Sequence, residues 1–96
     1  MTYITIVGIR QYFGTEVFKV GQSLKATKDY ENGYDEEAIK VSSDANVVFG
    51  YIANSVHSVA KGCRSAGRIY DTFENEIEIK VLFIVKDSVI AEVIYK

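Results

Sequence analysis

The residues from Ile77 to Tyr95 constrain this chain more than any other stretch. Ile77, Ile79, Val81, Phe83 and Val85 fall at every second position, while Glu76, Glu78 and Lys80 begin the opposite set. A period of two is the repeat of a strand with one apolar face. Lys86-Asp87-Ser88 then reads as a turn, and Val89 to Tyr95 as a strand that pairs back. The chain therefore ends in a β-hairpin over residues 76–96.

Further strands precede it. Tyr3 to Ile9 is rich in β-branched residues, and Gly8 within it suggests a bulge or a close backbone approach. Arg10 to Gly14 is a connection. Glu16 to Val20 and Ser23 to Asp29 are weaker strands, with Gly21-Gln22 between them as a hairpin turn. Tyr30 to Glu37 is a polar loop. Ala38 to Ser42 and Val47 to Ile52 are short strands joined by Ser43-Asp44-Ala45-Asn46, and Arg68 to Phe73 is another. The chain has no proline, so its turns rest on Gly, Asn, Asp and Ser.

One helix is expected. After Asn54, the residues Val56, Val59, Ala60 and Cys63 stand at i, i+3, i+4 and i+7, which is one helical face. Asn54 or Ser55 caps its start and Gly67 ends it. Gly62 lies inside and keeps the helix short, because glycine costs roughly 1 kcal/mol there relative to alanine. Short strands, tight turns and one helix predict a mainly β domain, a small and partly open β-barrel of the OB-like or SH3-like kind. Its 96 residues are the size of a single domain, 1–96.

Composition excludes some functions. Asp plus Glu number 13 against 11 for Lys plus Arg, so no strongly basic face argues for nucleic acid on charge alone. Cys63 is the only cysteine, which rules out an intramolecular disulfide and fits a reducing compartment. Residues 1–10 lack the pattern of a signal peptide, and the apolar run Val81 to Val85 is too short to span a bilayer. A cytoplasmic protein without membrane contact is the expectation.

Catalytic and metal motifs are missing too. The sequence contains no phosphate-binding G-x-x-x-x-G-K-[ST] loop, no H-E-x-x-H and no G-x-S-x-G. One histidine and one cysteine cannot build a structural zinc site. On a helix, His57 and Cys63 would point roughly 240° apart at about 100° per residue. Cys63 is read as a small buried hydrophobe and His57 as solvated. The acidic run from Asp29 fails as a calcium loop: its glycine is fifth instead of sixth, and its twelfth residue is Lys40 instead of Glu. The expectation is a non-enzymatic domain with no metal and no cofactor.

The candidate site is the turn Asn32-Gly33-Tyr34-Asp35-Glu36-Glu37, which runs into Ala38-Ile39-Lys40-Val41. It puts a ring beside a carboxylate on a loop able to present both. Two other segments accompany it in order, Val7-Gly8-Ile9-Arg10-Gln11-Tyr12 after the first strand and Gly50-Tyr51-Ile52 before the expected helix. Together these resemble the HIRAN domain family, from about Ile4 to Ser65, whose usual segments are V-G-x-x-Y, N-P-Y-D-x-x-A-I-x-V and G-[YH]-[IVL].

The resemblance implies an OB-like barrel that binds the 3′ end of single-stranded DNA. In eukaryotic members it is joined to fork-remodelling helicase-like ATPases, so a separate helicase or nuclease partner is implied as well. Rings stack on the terminal bases, and the aspartate recognises the free 3′-hydroxyl. Carried over, the nucleic-acid-binding residues are Arg10, Gln11, Tyr12, Asn32, Tyr34 and Asp35. Three positions depart from the family: Gln11 replaces a stacking tyrosine, Gly33 replaces proline, and Ala53-Asn54 stand where a basic residue often lies. Plainer roles are open for the same residues. Tyr34 can cover the barrel end, Asp35 can cap its own turn, Tyr12 can be core, and Arg10 can be a surface charge.

A second functional reading is a protein-interaction module without nucleic-acid binding. Exposed strand edges can pair with a partner or a second copy. Leu82, Ile84, Ile90 and Ile94 give the hairpin more apolar side chains than one barrel interior needs, which points to a homodimer.

Overall fold

The C-terminal hairpin forms, but its alternation does not run to the end. In the computed structural model, which describes residues 1–95, β5 spans Glu76–Ile84 and β6 spans Val89–Ile94. Lys96, the last residue of the expected hairpin, lies outside the described residues. Opposite pairs run from Glu78 with Ile94 to Ile84 with Val89, and the register shifts between Val81 and Phe83. This bulge at Leu82 breaks the two-residue repeat. Ile79 and Val81 are wholly buried, whereas Phe83 and Val85 are more than half exposed. The expected five-residue apolar face therefore stops at Val81.

The other strands are β1 (Tyr3–Val7), β2 (Ser23–Lys28), β3 (Ile39–Ser42) and β4 (Val48–Ile52). They join the hairpin in the order β1-β4-β3-β2-β5-β6, and β6 returns to β1. Every pairing is antiparallel. This is the expected mainly β barrel, and it closes completely. Sequence periodicity identifies strands but not their neighbours, and closure depends on β1 lying between two distant strands, β4 and β6. Closure removes the open sheet edges invoked for self-association.

Side chains from all six strands fill the barrel. Ile4, Ile6, Leu24, Ala26, Ile39, Val41, Phe49, Ile79, Val81, Val89, Ala91 and Val93 are buried in one cluster. The β1 strand ends at Val7, short of the expected Ile9, because Gly8 takes a left-handed conformation at φ 70°. An added Cβ at Gly8 would meet nothing. Its role is thus the turn and not a close approach. Ile9–Gln11 then forms a single 3₁₀ turn.

The expected strand at Glu16 to Val20 is absent. Gly14–Val17 is a 3₁₀ turn, and Phe18 drops into the core against Phe49, with ring centroids 5.7 Å apart. The tight turn is closed by Gln22 instead of a Gly21-Gln22 hairpin. Its amide nitrogen donates to Val17 O at 3.1 Å, and its carbonyl accepts from Lys19 N at 3.0 Å.

The helix also lies elsewhere. Residues 54–65 form a series of turns, and α1 is a single turn, Ala66–Ile69, capped by Ser65, whose Oγ accepts from Arg68 N at 3.3 Å. After one α-type bond, Val59 N to Ser55 O at 3.0 Å, the backbone of this segment turns to bonds with the outside of β1. Ala60 N donates to Thr5 Oγ1 at 3.0 Å and Arg64 N to Tyr3 O at 2.7 Å. Gly62 has φ 89°, which no α-helix accommodates. Val56, expected on the buried face, is 89% exposed, and Cys63 is only partly buried. The expected strand Arg68 to Phe73 is the end of α1 followed by a 3₁₀ turn at Tyr70–Thr72. Tertiary bonds thus outweigh a weak helical pattern built on small residues.

Candidate nucleic-acid interface

The loop between β2 and β3 is organised by two side chains acting on their own backbone. Asn32 Oδ1 accepts from Tyr34 N at 2.9 Å and Asp35 N at 3.0 Å, the Asx turn typical of this residue. Asp35 Oδ1 accepts from Glu37 N at 2.9 Å, and Asp35 O receives Ala38 N at 3.3 Å. Buried Ala38 then anchors the loop to β3. Asp35 therefore does cap its turn, and its second oxygen does more. Oδ2 accepts from Asn54 Nδ2 at 3.0 Å, across to the segment that follows β4.

Asn54 is a junction. The same Nδ2 reaches Glu37 Oε1 at 3.3 Å, while Oδ1 accepts from Gly67 N at 2.7 Å. Loop and α1 meet so closely that a Cβ at Gly67 would lie 2.6 Å from Glu37 Oε1. A neutral amide thus holds the acidic loop in position.

Together these elements wall an open groove of about 420 Å³. Asn32, Tyr34 and Asp35 form one side, Tyr51 and Ile52 the floor, and Asn54, Ser55 and Ser58 the other side. Tyr34 is fully exposed, so it covers no part of the barrel. Among the described residues, Asp35 is the one carboxylate lining the groove, and no lysine or arginine lines it. A carboxylate has about four acceptor sites. Two are filled by Glu37 N and Asn54 Nδ2, which leaves room for a donor from outside.

Tyr51 was missed as a site residue, although its segment was singled out. The register places it between Lys40 of β3 and Val7 of β1, on the outer face of the barrel. Its hydroxyl donates to Asp29 Oδ2 at 2.6 Å. Partial burial, then this bond and the Asp29 charge, raise its pKa well above the usual tyrosine value, so it remains a neutral ring. Asn54 is a second such missed residue. Asn54 showed only as a departure from the family pattern, and no local signal marks a link over 19 residues to Asp35.

Of the first segment, Val7 lines the groove and residues 8–12 do not. Tyr12 is exposed, not core, and its ring stands 6.4 Å from Tyr51, tilted by 38°. It thereby extends the aromatic surface of the floor. The Gln11 side chain is exposed and hydrogen-bonds to nothing among the described residues. Arg10 turns to the β5–β6 connection, where its Nε lies 3.0 Å from Asp87 Oδ1. Thus Asn32, Tyr34 and Asp35 share one wall, Tyr12 adjoins through Tyr51, and Arg10 and Gln11 do not line the groove. Among the described residues, no group of three or more His, Cys, Asp or Glu is placed to hold a metal ion. No helix among them is long and apolar enough to cross a membrane.

Comparison with known proteins agrees with this barrel. The crystal structure of the HIRAN domain of human HLTF superposes with a TM-score of 0.68 at 22% identity, over 93% of this chain and 69% of that one. A protein from Lactobacillus plantarum superposes with a TM-score of 0.65 at 18% identity, over 95% of this chain and 87% of that one. No curated protein matches the sequence. The family model described as the HIRAN domain matches residues 1–86. With five of the six barrel strands inside that match, the chain belongs to the HIRAN domain family, known in general as DNA-binding modules.

Proposed function

We propose that the groove binds the 3′ end of single-stranded DNA, without catalysis, as a module that serves a separate helicase or nuclease. One observation carries this reading. A fully exposed ring, Tyr34, stands next to a carboxylate, Asp35, whose orientation is fixed by Asn54 and by its own turn. A base stacks on the ring whatever its identity, worth roughly 1–3 kcal/mol. A terminal hydroxyl can donate to the carboxylate, whereas a phosphate at that place is repelled. Tyr51 and Tyr12 continue the apolar surface for the next base. The Arg10–Asp87 pair is exposed, and such pairs are worth about 0–1 kcal/mol. It does not commit Arg10 to the turn.

A two-dimensional NMR titration with a short 3′-hydroxyl oligonucleotide tests the placement. Amide signals of residues 32–35 and 50–55 are expected to shift together, and Tyr34→Ala to weaken binding by roughly 1–3 kcal/mol, one lost stack. Shifts confined to another face, or a Tyr34→Ala variant that binds normally, would remove this groove as the site.

Self-association is a second reading, supported by the exposed Phe83, Ile84 and Val85 at the end of β5. It predicts that light scattering detects dimers as concentration rises into the millimolar range. A strict monomer throughout would end it.

A further inference from the structure

We propose that Arg64 and Arg68 form a phosphate-binding track that carries the strand away from the groove. This inference rests on the 3′-end reading of the groove and adds to it the path of the backbone. The groove itself presents one carboxylate and no cation. A nucleic-acid strand nevertheless brings a negative charge with every phosphate, and contacts to those charges supply most sequence-independent affinity. Cations must therefore lie next to the groove, at a place where a strand leaving it would pass.

Such a place adjoins Asn54. A second recess shares that residue with the groove and is lined by Tyr3, Cys63, Arg64, Ser65 and Arg68, with no aspartate or glutamate among its lining residues. Both arginines are exposed, and neither forms an ion pair among the described residues. Three of the other cations are engaged among the described residues. Arg10 faces Asp87, Lys25 reaches Asn46 and Glu76, and Lys28 donates to Phe73 O beneath the rings of Tyr70 and Phe73.

The backbone at both arginines is also fixed. Arg64 N donates to Tyr3 O at 2.7 Å, and Arg68 N to Ser65 O at 3.1 Å. Gly67, between them and Asp35, donates to Asn54 Oδ1. The same amide that orients Asp35 thus ties down the turn bearing Arg68. Arginine suits the task, since its fork of donors matches phosphate oxygens and it sheds water readily.

The test is the salt dependence of binding to a 5′-labelled oligothymidylate ending in a 3′-hydroxyl. In single strands each neutralised phosphate contributes about 0.7 to the slope of log affinity against log salt. The double variant Arg64→Gln/Arg68→Gln is expected to lose about 1.4 of that slope, two phosphates' worth, and to keep the wild-type preference for 3′-hydroxyl over 3′-phosphate ends. Arg64→Lys/Arg68→Lys should restore most of the slope. Lys19→Gln/Lys80→Gln, an equal change of net charge elsewhere, should leave it unchanged. A wild-type slope in the arginine-to-glutamine variant, with the end preference intact, would overturn the track and leave the 3′-end reading standing. An equal loss of slope in the lysine control would overturn the track as well. A wild-type protein without any end preference would overturn both.

Discussion

Ile6→Ala is expected to destabilise the barrel by about 2–5 kcal/mol, the usual cost of removing a buried isoleucine side chain down to its Cβ. Ile6 is wholly buried and sits where the ring closes, opposite Val89 of β6 and Ile52 of β4. Strand β1 has only two paired positions with β4, Ile6 with Ile52 and Val7 with Tyr51. Loss of packing there cannot be shared along a longer ladder. Domains of this size hold on to roughly 5–15 kcal/mol in total, so urea denaturation should show a large fall in midpoint. A change under about 0.5 kcal/mol, the range of an ordinary surface substitution, would mean that this seam does not hold the barrel closed.

Gly50→Ala should cost about 1–3 kcal/mol by overpacking, and the cause is backbone. A Cβ at Gly50 would lie 2.8 Å from the carbonyl oxygen of Val7, 3.0 Å from Ile6 Cγ2 and 3.1 Å from Ile9 Cγ2. The two methyl groups can shift, but the carbonyl belongs to the last residue of β1. For a domain of 60–100 residues, each kcal/mol lowers the melting temperature by roughly 4–8 °C. Gly50 precedes Tyr51, and Val7 pairs with Tyr51, so the substitution should also disturb the groove floor. Unchanged melting would show that β1 and β4 can separate without harm.

Most of the strands were legible because a period of two survives wherever one face is buried. Ser23–Lys28 alternates over its first residues and the hairpin does so around Ile79 and Val81, whereas the short strands Ile39–Ser42 and Val48–Ile52 each carry two adjacent buried residues. Prediction failed where distant hydrogen bonds decided the conformation. Val56, Val59, Ala60 and Cys63 have helical spacing, yet Thr5 and Tyr3 draw the backbone out of a helix. The Leu82 bulge was equally invisible, since a bulge is a property of two strands in register.

The candidate site was legible in its local part. Asn32, Tyr34 and Asp35 are near neighbours, and their turn follows from asparagine chemistry. Tyr51 and Asn54 enter only through pairing across the sheet or through bonds over long separations. Arg10 was placed by its position in a segment, and the fold sends it to Asp87. The acidic character of the loop, at odds with nucleic-acid binding by composition, has a use if Asp35 reads an end and the arginines beyond Asn54 meet the backbone.

Recognition of a strand end by the Asp35 carboxylate would show itself as a preference between two kinds of 3′ end. Fluorescence anisotropy with two oligonucleotides of one sequence, ending in 3′-hydroxyl or 3′-phosphate, should show tighter binding of the hydroxyl form by the wild-type protein. In Asp35→Asn, which removes the charge and keeps the side-chain shape, the two affinities should converge. Equal binding of both ends by the wild-type protein, or a preference that persists in Asp35→Asn, would contradict the account.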